Sequence, residues 1–447
     1  MNAARVGCHS VSTRLVTCVV LCLVTGAAPA TAQPVPLALS LQDAIDRAIE
    51  TSHRLAELEA RRRAAAAGAA TARAADRPLL DVVGGYSRTN HVEEFGLVGP
   101  DGKLRVIYPD VPNNLVGRLD VRWPLYTAGR TEALVVAADA ESKASAVDQR
   151  TARADLVLEV TRTYWAAVSG REAVRTLRDS LARIDGHRAE AQARLDGGFV
   201  PPSEVLTVEA QQASERAQLV DAETVRDQTL VLLRHFIGAS PGTPIDLVQA
   251  ASVPEAGPAA TPAAAAPERP EHEALALRLT GAAARVAAAR ADSKPQLALT
   301  GGLDYSRPNA RRFPRRDEWQ DSWDVGISLS WPIFDGGRTK ARVEAANAQA
   351  DALREQLAEL DARVAVDVEQ RRLEVAASRA RIDAAASAVR AATEARRVMR
   401  ERYAAGVATN TDVLDAEALL LRTDLDHTRA TVAARVAEAQ LTRALGR

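Results

Sequence analysis

The sequence has few cysteines, and their positions exclude a good deal of chemistry. Cys8, Cys18 and Cys22 all fall within residues 1–32. That segment reads as a secretory signal: Arg5 and Arg14 form a basic start, Leu15 to Val24 an apolar middle, and Ala30-Thr31-Ala32 a small-residue cleavage site before Gln33. Once it is removed, the expected mature chain has no cysteine, and therefore no disulfide, no thiolate metal site and no cysteine nucleophile. A lipid anchor on Cys18 is disfavoured by Thr17 in front of it. No apolar run reaches the roughly 18 residues that a membrane helix needs.

A basic excess is missing too. Residues 1–32 hold two of the 57 basic residues and none of the 58 acidic ones, so the mature net charge is −3 with both signs interspersed. Nucleic acid would require a basic face. His53, His91, His187, His235, His272 and His427 have no partner at ligand spacing, and each reads as a surface residue. No Ser/His/Asp arrangement and no glycine-rich phosphate loop is present. The reading is therefore not an enzyme, with no cofactor and no metal.

What the sequence does have is one unit used twice. Trp123-Pro124-Leu125-Tyr126-Thr127-Ala128-Gly129-Arg130 returns 208 residues later as Trp331-Pro332-Ile333-Phe334-Asp335-Gly336-Gly337-Arg338. The same offset relates Arg194 to Arg402, Gly198 to Gly406, Val205-Leu206 to Val413-Leu414 and Glu209 to Glu417. The first repeat is expected over 33–250, a Pro/Ala linker over 251–267, and the second repeat over 268–447.

Each repeat opens with helix. Ser40 caps a run from Leu39 that reads as continuous to Asp76. Strands follow at about 79–88 and 115–124, with 89–114 read as loop, and in the second half at 296–306 and 322–332. In the last, Trp323, Val325, Ile327, Leu329 and Trp331 alternate with Asp324, Gly326, Ser328 and Ser330. Long helical hairpins complete the repeats at 129–237 and 338–446. No proline occurs between Pro124 and Pro201, or after Pro332. Val174, Leu177, Leu181 and Ile184 space as a coiled-coil seam, and Val368, Val375, Ile382 and Val389 recur every seven residues. A helix over 130–196 would be ~100 Å long at ~1.5 Å per residue.

Four strands with one apolar face cannot close on themselves, and no other strand signal is read in the chain. The helical seams are narrow and largely alanine, so they cannot cover a sheet. The remaining solution is a barrel shared between chains, apolar face outward and small polar residues inward. Trp323 and Trp331 lie ~26 Å apart along the strand, or roughly 20 Å in height after tilt, which suits two aromatic girdles. Trp123, Tyr86 and Tyr305 join them as membrane-interface aromatics.

These features resemble the TolC-like outer membrane efflux proteins over essentially the whole mature length. The resemblance rests on LSLQDAIDRAIE, WPLYTAGR with WPIFDGGR, and RYAAGVATNTDVLDAEALL. It implies a mixed α/β membrane protein: a homotrimer with a 12-stranded outer-membrane β-barrel, four strands per chain, continued by a long α-helical coiled-coil barrel into the periplasm. It also implies an exit duct that works with a periplasmic adaptor (membrane fusion) protein and an inner-membrane transporter of RND or ABC type. By the same resemblance Asp412 and Asp415 line the entrance, and the alternative for Asp412 is a first-turn helix charge. Tyr403 matches a gating tyrosine and Glu204 its acidic partner, while Ala408 stands where the family has a gating arginine. Gly197, Gly198 and Phe199, with Ala405, Gly406 and Val407, match the turns that meet the adaptor. Type I protein secretion is a second reading of the duct. A trimeric, non-conducting envelope tether is the rival from another class.

Overall fold

Residues 36–248 and 269–446 are described by a computed structural model. The expected secretory segment with its three cysteines and the Pro/Ala linker lie outside the described residues.

The N-terminal helical stretch is two helices. Ser40 caps α1 (Leu41–Thr51) in a reciprocal capping box with Asp43. Ser52, extended at φ −67° and ψ 110°, ends α1, and its hydroxyl accepts from Leu55 N to start α2 (His53–Ala74). The expected continuous helix to Asp76 is thus broken by a serine whose side chain offers the backbone an alternative partner. The strand β1 (Leu37–Leu39) precedes α1 and pairs in parallel with β6 (Ile245–Leu247). Tyr164 pins this patch by donating its hydroxyl to Val248 O at 2.8 Å.

The main sheet is antiparallel in the order β2 (Leu79–Arg88), β5 (Asn113–Tyr126), β7 (Gln296–Arg307) and β8 (Gln320–Ser330). Between β2 and β5, β3 (Phe95–Val98) and β4 (Leu104–Tyr108) form a hairpin inside the segment expected to be loop. Pro100-Asp101-Gly102, with Gly102 at φ +73°, is the turn signal between two apolar runs that marks it. With β1 and β6, the described residues therefore hold eight strands, and the expectation of only four is corrected.

Register places apolar side chains on one face across all four main strands. Leu80, Val82 and Tyr86 lie opposite Val121, Leu119 and Leu115. Trp123, Val121 and Leu119 lie opposite Leu299, Gly301 and Leu303, which in turn face Ile327, Val325 and Trp323. Val325, Ile327 and Leu329 are each about two-thirds exposed. Among the described residues, β2 and β8 have no further strand partner.

The shaft is two hairpins of equal dimensions. Helices α3 (Arg130–Asp196) and α6 (Arg338–Ala404) are 67 residues each, and α4 (Pro202–Phe236) and α7 (Asn410–Ala444) are 35 each. At ~1.5 Å per residue the long ones span ~100 Å. Helix α5 (Pro270–Ala291) packs between α3 and α6. Val174, Leu177, Leu181 and Ile184 are all buried on α3. On α6, Val368 and Val375 are buried while Ile382 and Val389 remain half-exposed.

Candidate functional site: the hairpin tips and the apolar sheet face

Both hairpins turn in the same way. Gly198 and Gly406 take φ +76° and +73°, values that cost an L side chain but not glycine. Phe199 N donates to Arg194 O and Gly198 N to Leu195 O, each at 2.9 Å. Val407 and Gly406 repeat this onto Arg402 O and Tyr403 O at 2.9 and 3.0 Å. These are Schellman turns. They leave Gly197, Gly198, Ala405 and Gly406 exposed, with Phe199 at 83% and Val407 at 66% exposure forming apolar points at the tip.

The restarts differ. Helix α4 begins with Pro202 at its first position. Helix α7 begins with a capping box in which Asp412 Oδ2 accepts from Thr409 N and Thr409 Oγ1, both at 2.8 Å. These backbone and hydroxyl bonds favour the carboxylate over desolvation, and with Arg402 nearby the Asp412 pKa is lowered. The capping bonds leave the Asp412 side chain exposed. Asp415, three residues on, is exposed as well.

Tyr403 and Glu204 are brought together: the tyrosine hydroxyl donates to Glu204 Oε2 at 3.4 Å, a long bond. Tyr403 is buried, with the Arg194 guanidinium 4.1 Å above its ring centroid. Burial pushes its pKa up, Glu204 and Glu190 add to that, and Arg194 opposes it. Ala408 is half-buried and offers no charge.

Sequence reasoning missed the residues beneath this contact. His187, expected at the surface, is 3% exposed. Its Nε2 lies 2.6 Å from Asn410 Oδ1, and its ring meets Tyr403 edge-on at 5.4 Å. Its place three residues beyond Ile184, on the same stripe of α3, is the signal that would have found it. One turn back, Arg183 donates to the buried Glu417 at 2.9 Å, with Arg396 of α6 on the other oxygen at 3.6 Å.

In the sheet, the expected interface aromatics separate by end. Trp123 and Trp331 donate their indole N–H to Asp76 O (3.0 Å) and Ser293 O (3.2 Å), next to the helices. Tyr86 and Tyr305 lie at the far end, where Tyr305 stacks on Trp319 at 5.0 Å, and Trp323 sits in that half of β8. Trp331 falls just past β8, because the ladder ends at Gln296–Ser330 and the next position on β7 would be Pro295, which has no N–H to give. Ile333 and Phe334, at 86% and 90% exposure, add apolar surface at this end that the sequence reading left out. The opposite face is less uniformly small than expected. There Arg118 reaches Asp120 (2.8 Å), Asp324 (3.3 Å) and Asp304 (3.8 Å).

No described helix is long and apolar enough to cross a membrane. Among the described residues no group of three or more His, Cys, Asp or Glu is placed to hold a metal. A sheet with an uncovered apolar face on a ~100 Å helical shaft is the build of an outer-membrane channel protein. The chain belongs to the outer membrane efflux protein family, whose model matches residues 44–239 and 262–447. It is similar to protein CyaE of Bordetella pertussis, 30% identical over 384 residues, which cover 83% of this chain and 75% of that protein. It is also similar to the pyoverdine export outer membrane protein OpmQ of Pseudomonas aeruginosa, 27% identical over 70% of this chain and 65% of that one. The solved Campylobacter jejuni CmeC outer membrane channel has the same fold, with a TM-score of 0.78 at 18% identity, covering 91% of this chain and 85% of that one.

Proposed function

We propose that three copies of this outer-membrane efflux protein join their sheets, edge β8 to edge β2, into a 12-stranded barrel, with the helical hairpins closing into a duct below it. The observation that carries this is the sheet itself. It has one continuous apolar face and two unpaired edges, and lipid tolerates strands only in a closed barrel. Half-exposed Ile382 and Val389 then find partners on the neighbouring subunit.

In this reading Asp412 and Asp415 contribute two rings of three carboxylates at the periplasmic entrance, and Tyr403 with Glu204 helps keep it narrow. The turns at Gly197–Phe199 and Ala405–Val407 receive a periplasmic adaptor, and an inner-membrane transporter of RND or ABC type supplies the energy. The duct itself conducts passively. The likeness to a pyoverdine exporter, at 27% identity, is matched by a likeness to a protease secretion protein at 26%, so small-molecule export and protein secretion both fit the duct. Purification in mild detergent tests the assembly: a trimer is expected, and a stable monomer with intact strands would sink the proposal.

A further inference from the structure

A shut entrance needs something to hold the second hairpin against the first, and Ala408 supplies no arginine for that task. The Tyr403–Glu204 bond, at 3.4 Å, is too long to carry it alone. We propose that His187 and Asn410 form the clasp that holds the two hairpin tips of each chain together, an inference that rests on reading the tips as the channel entrance.

Asn410 is the first residue of α7 and is 3% exposed. Its amide Nδ2 donates to Glu204 O on α4 at 3.2 Å. That bond orients the amide, because only the nitrogen can donate to a carbonyl. Oδ1 therefore faces His187, and the Nε2 lying 2.6 Å away carries the hydrogen. One amide thus joins α3, α4 and α7, and the His187 ring props Tyr403 at the end of α6. All four shaft helices meet at this point.

Both side chains are almost wholly removed from water, so parting the hairpins at this point breaks two hydrogen bonds at once. The clasp lies inside one chain, so each subunit carries its own.

Four variants separate the bond from the packing. His187→Phe keeps an aromatic ring against Tyr403 and deletes the donor. His187→Gln keeps a donor and deletes the ring. Asn410→Leu removes the acceptor, together with the donor to Glu204 O, at similar volume. The fourth is the His187→Phe/Asn410→Leu double variant, and Tyr403→Phe serves as a reference for the tip. Single-channel current in planar bilayers is read for each, after checking that detergent-extracted trimer forms in wild-type yield.

His187→Phe should shift the closed–open balance by about fivefold per chain, the worth of one neutral hydrogen bond, and Asn410→Leu, which removes both bonds of the amide, should shift it further. The double variant should conduct no more than Asn410→Leu alone, and His187→Gln should conduct like wild type. If His187→Phe fails to assemble, Asn410→Leu against His187→Gln still decides. Wild-type current in both His187→Phe and Asn410→Leu, with a raised current in Tyr403→Phe, would overturn the clasp and leave the entrance where it is. A raised current in His187→Gln equal to that in His187→Phe would assign the effect to ring packing and also overturn it. Unchanged current in every variant, Tyr403→Phe included, would overturn the placing of the entrance itself.

Discussion

Ile327→Arg and Ser328→Arg are adjacent substitutions that should behave in opposite ways. Ile327 lies four residues from Trp323 and four from Trp331, ~13 Å along the strand in each direction at ~3.3 Å per residue. With strands tilted ~40°, that puts it ~10 Å from either girdle, at the middle of the apolar band. Its side chain is 67% exposed in the single chain, on the face shared with Leu299 and Trp123. An arginine there must enter lipid at ~2–4 kcal/mol per chain, or roughly 6–12 kcal/mol for three copies in one barrel. Ser328 points to the other face, beside Ala298 and among the polar groups that include Asp324, where water hydrates a guanidinium. Outer-membrane yield of trimer, with the urea midpoint of refolded protein in vesicles, should fall sharply for Ile327→Arg and change little for Ser328→Arg. Equal yields would refute the assignment of faces, and with it the barrel.

The buried Glu417 gives a stability prediction: Glu417→Gln removes the carboxylate that Arg183 and Arg396 share and leaves Asp424 as their remaining acidic neighbour. Both guanidiniums are about a quarter exposed, so the loss should fall toward the low end of ~3–5 kcal/mol and appear as a lower urea midpoint for loss of helix. An unchanged midpoint would show the triad to be incidental. Asp412→Asn with Asp415→Asn should lower cation selectivity, measured as the reversal potential in asymmetric KCl. The effect should be larger at 0.1 M salt than at 1 M, where the Debye length falls from ~10 Å to ~3 Å. Because its bonds to Thr409 lower the pKa of Asp412, the stability its charge contributes is present above the unfolded value of ~3.9 and lost only as pH falls through the still lower folded value. Selectivity should therefore persist from pH 7 to pH 5, and its loss in that window would contradict an Asp412 ring.

Much of the fold was legible because it is written in periodicity. The strand around Trp323 alternates cleanly, and its partners follow from pairing rules. The repeat offset carried the second hairpin onto the first. What escaped were short elements whose stability comes from elsewhere: three residues of β1 hold only because Leu39 and Leu247 are buried together under Tyr164. Ser52 escaped for another reason, since a serine cap inside an unbroken apolar rhythm looks like helix. At the tip, it was the family resemblance that singled out Asp412, Tyr403 and Glu204. The burial of His187 was legible in its place on the Ile184 stripe, but its role was not, because that depends on Asn410, 223 residues away.

The central claim is that this chain forms a conduit and not a tether, and single-channel recording of the purified trimer in planar bilayers tests it most directly. Discrete, cation-selective current steps are expected, small in the resting state and larger when the tip contacts are cut. Trimers that insert yet pass no current, in wild type and tip variants alike, would contradict it.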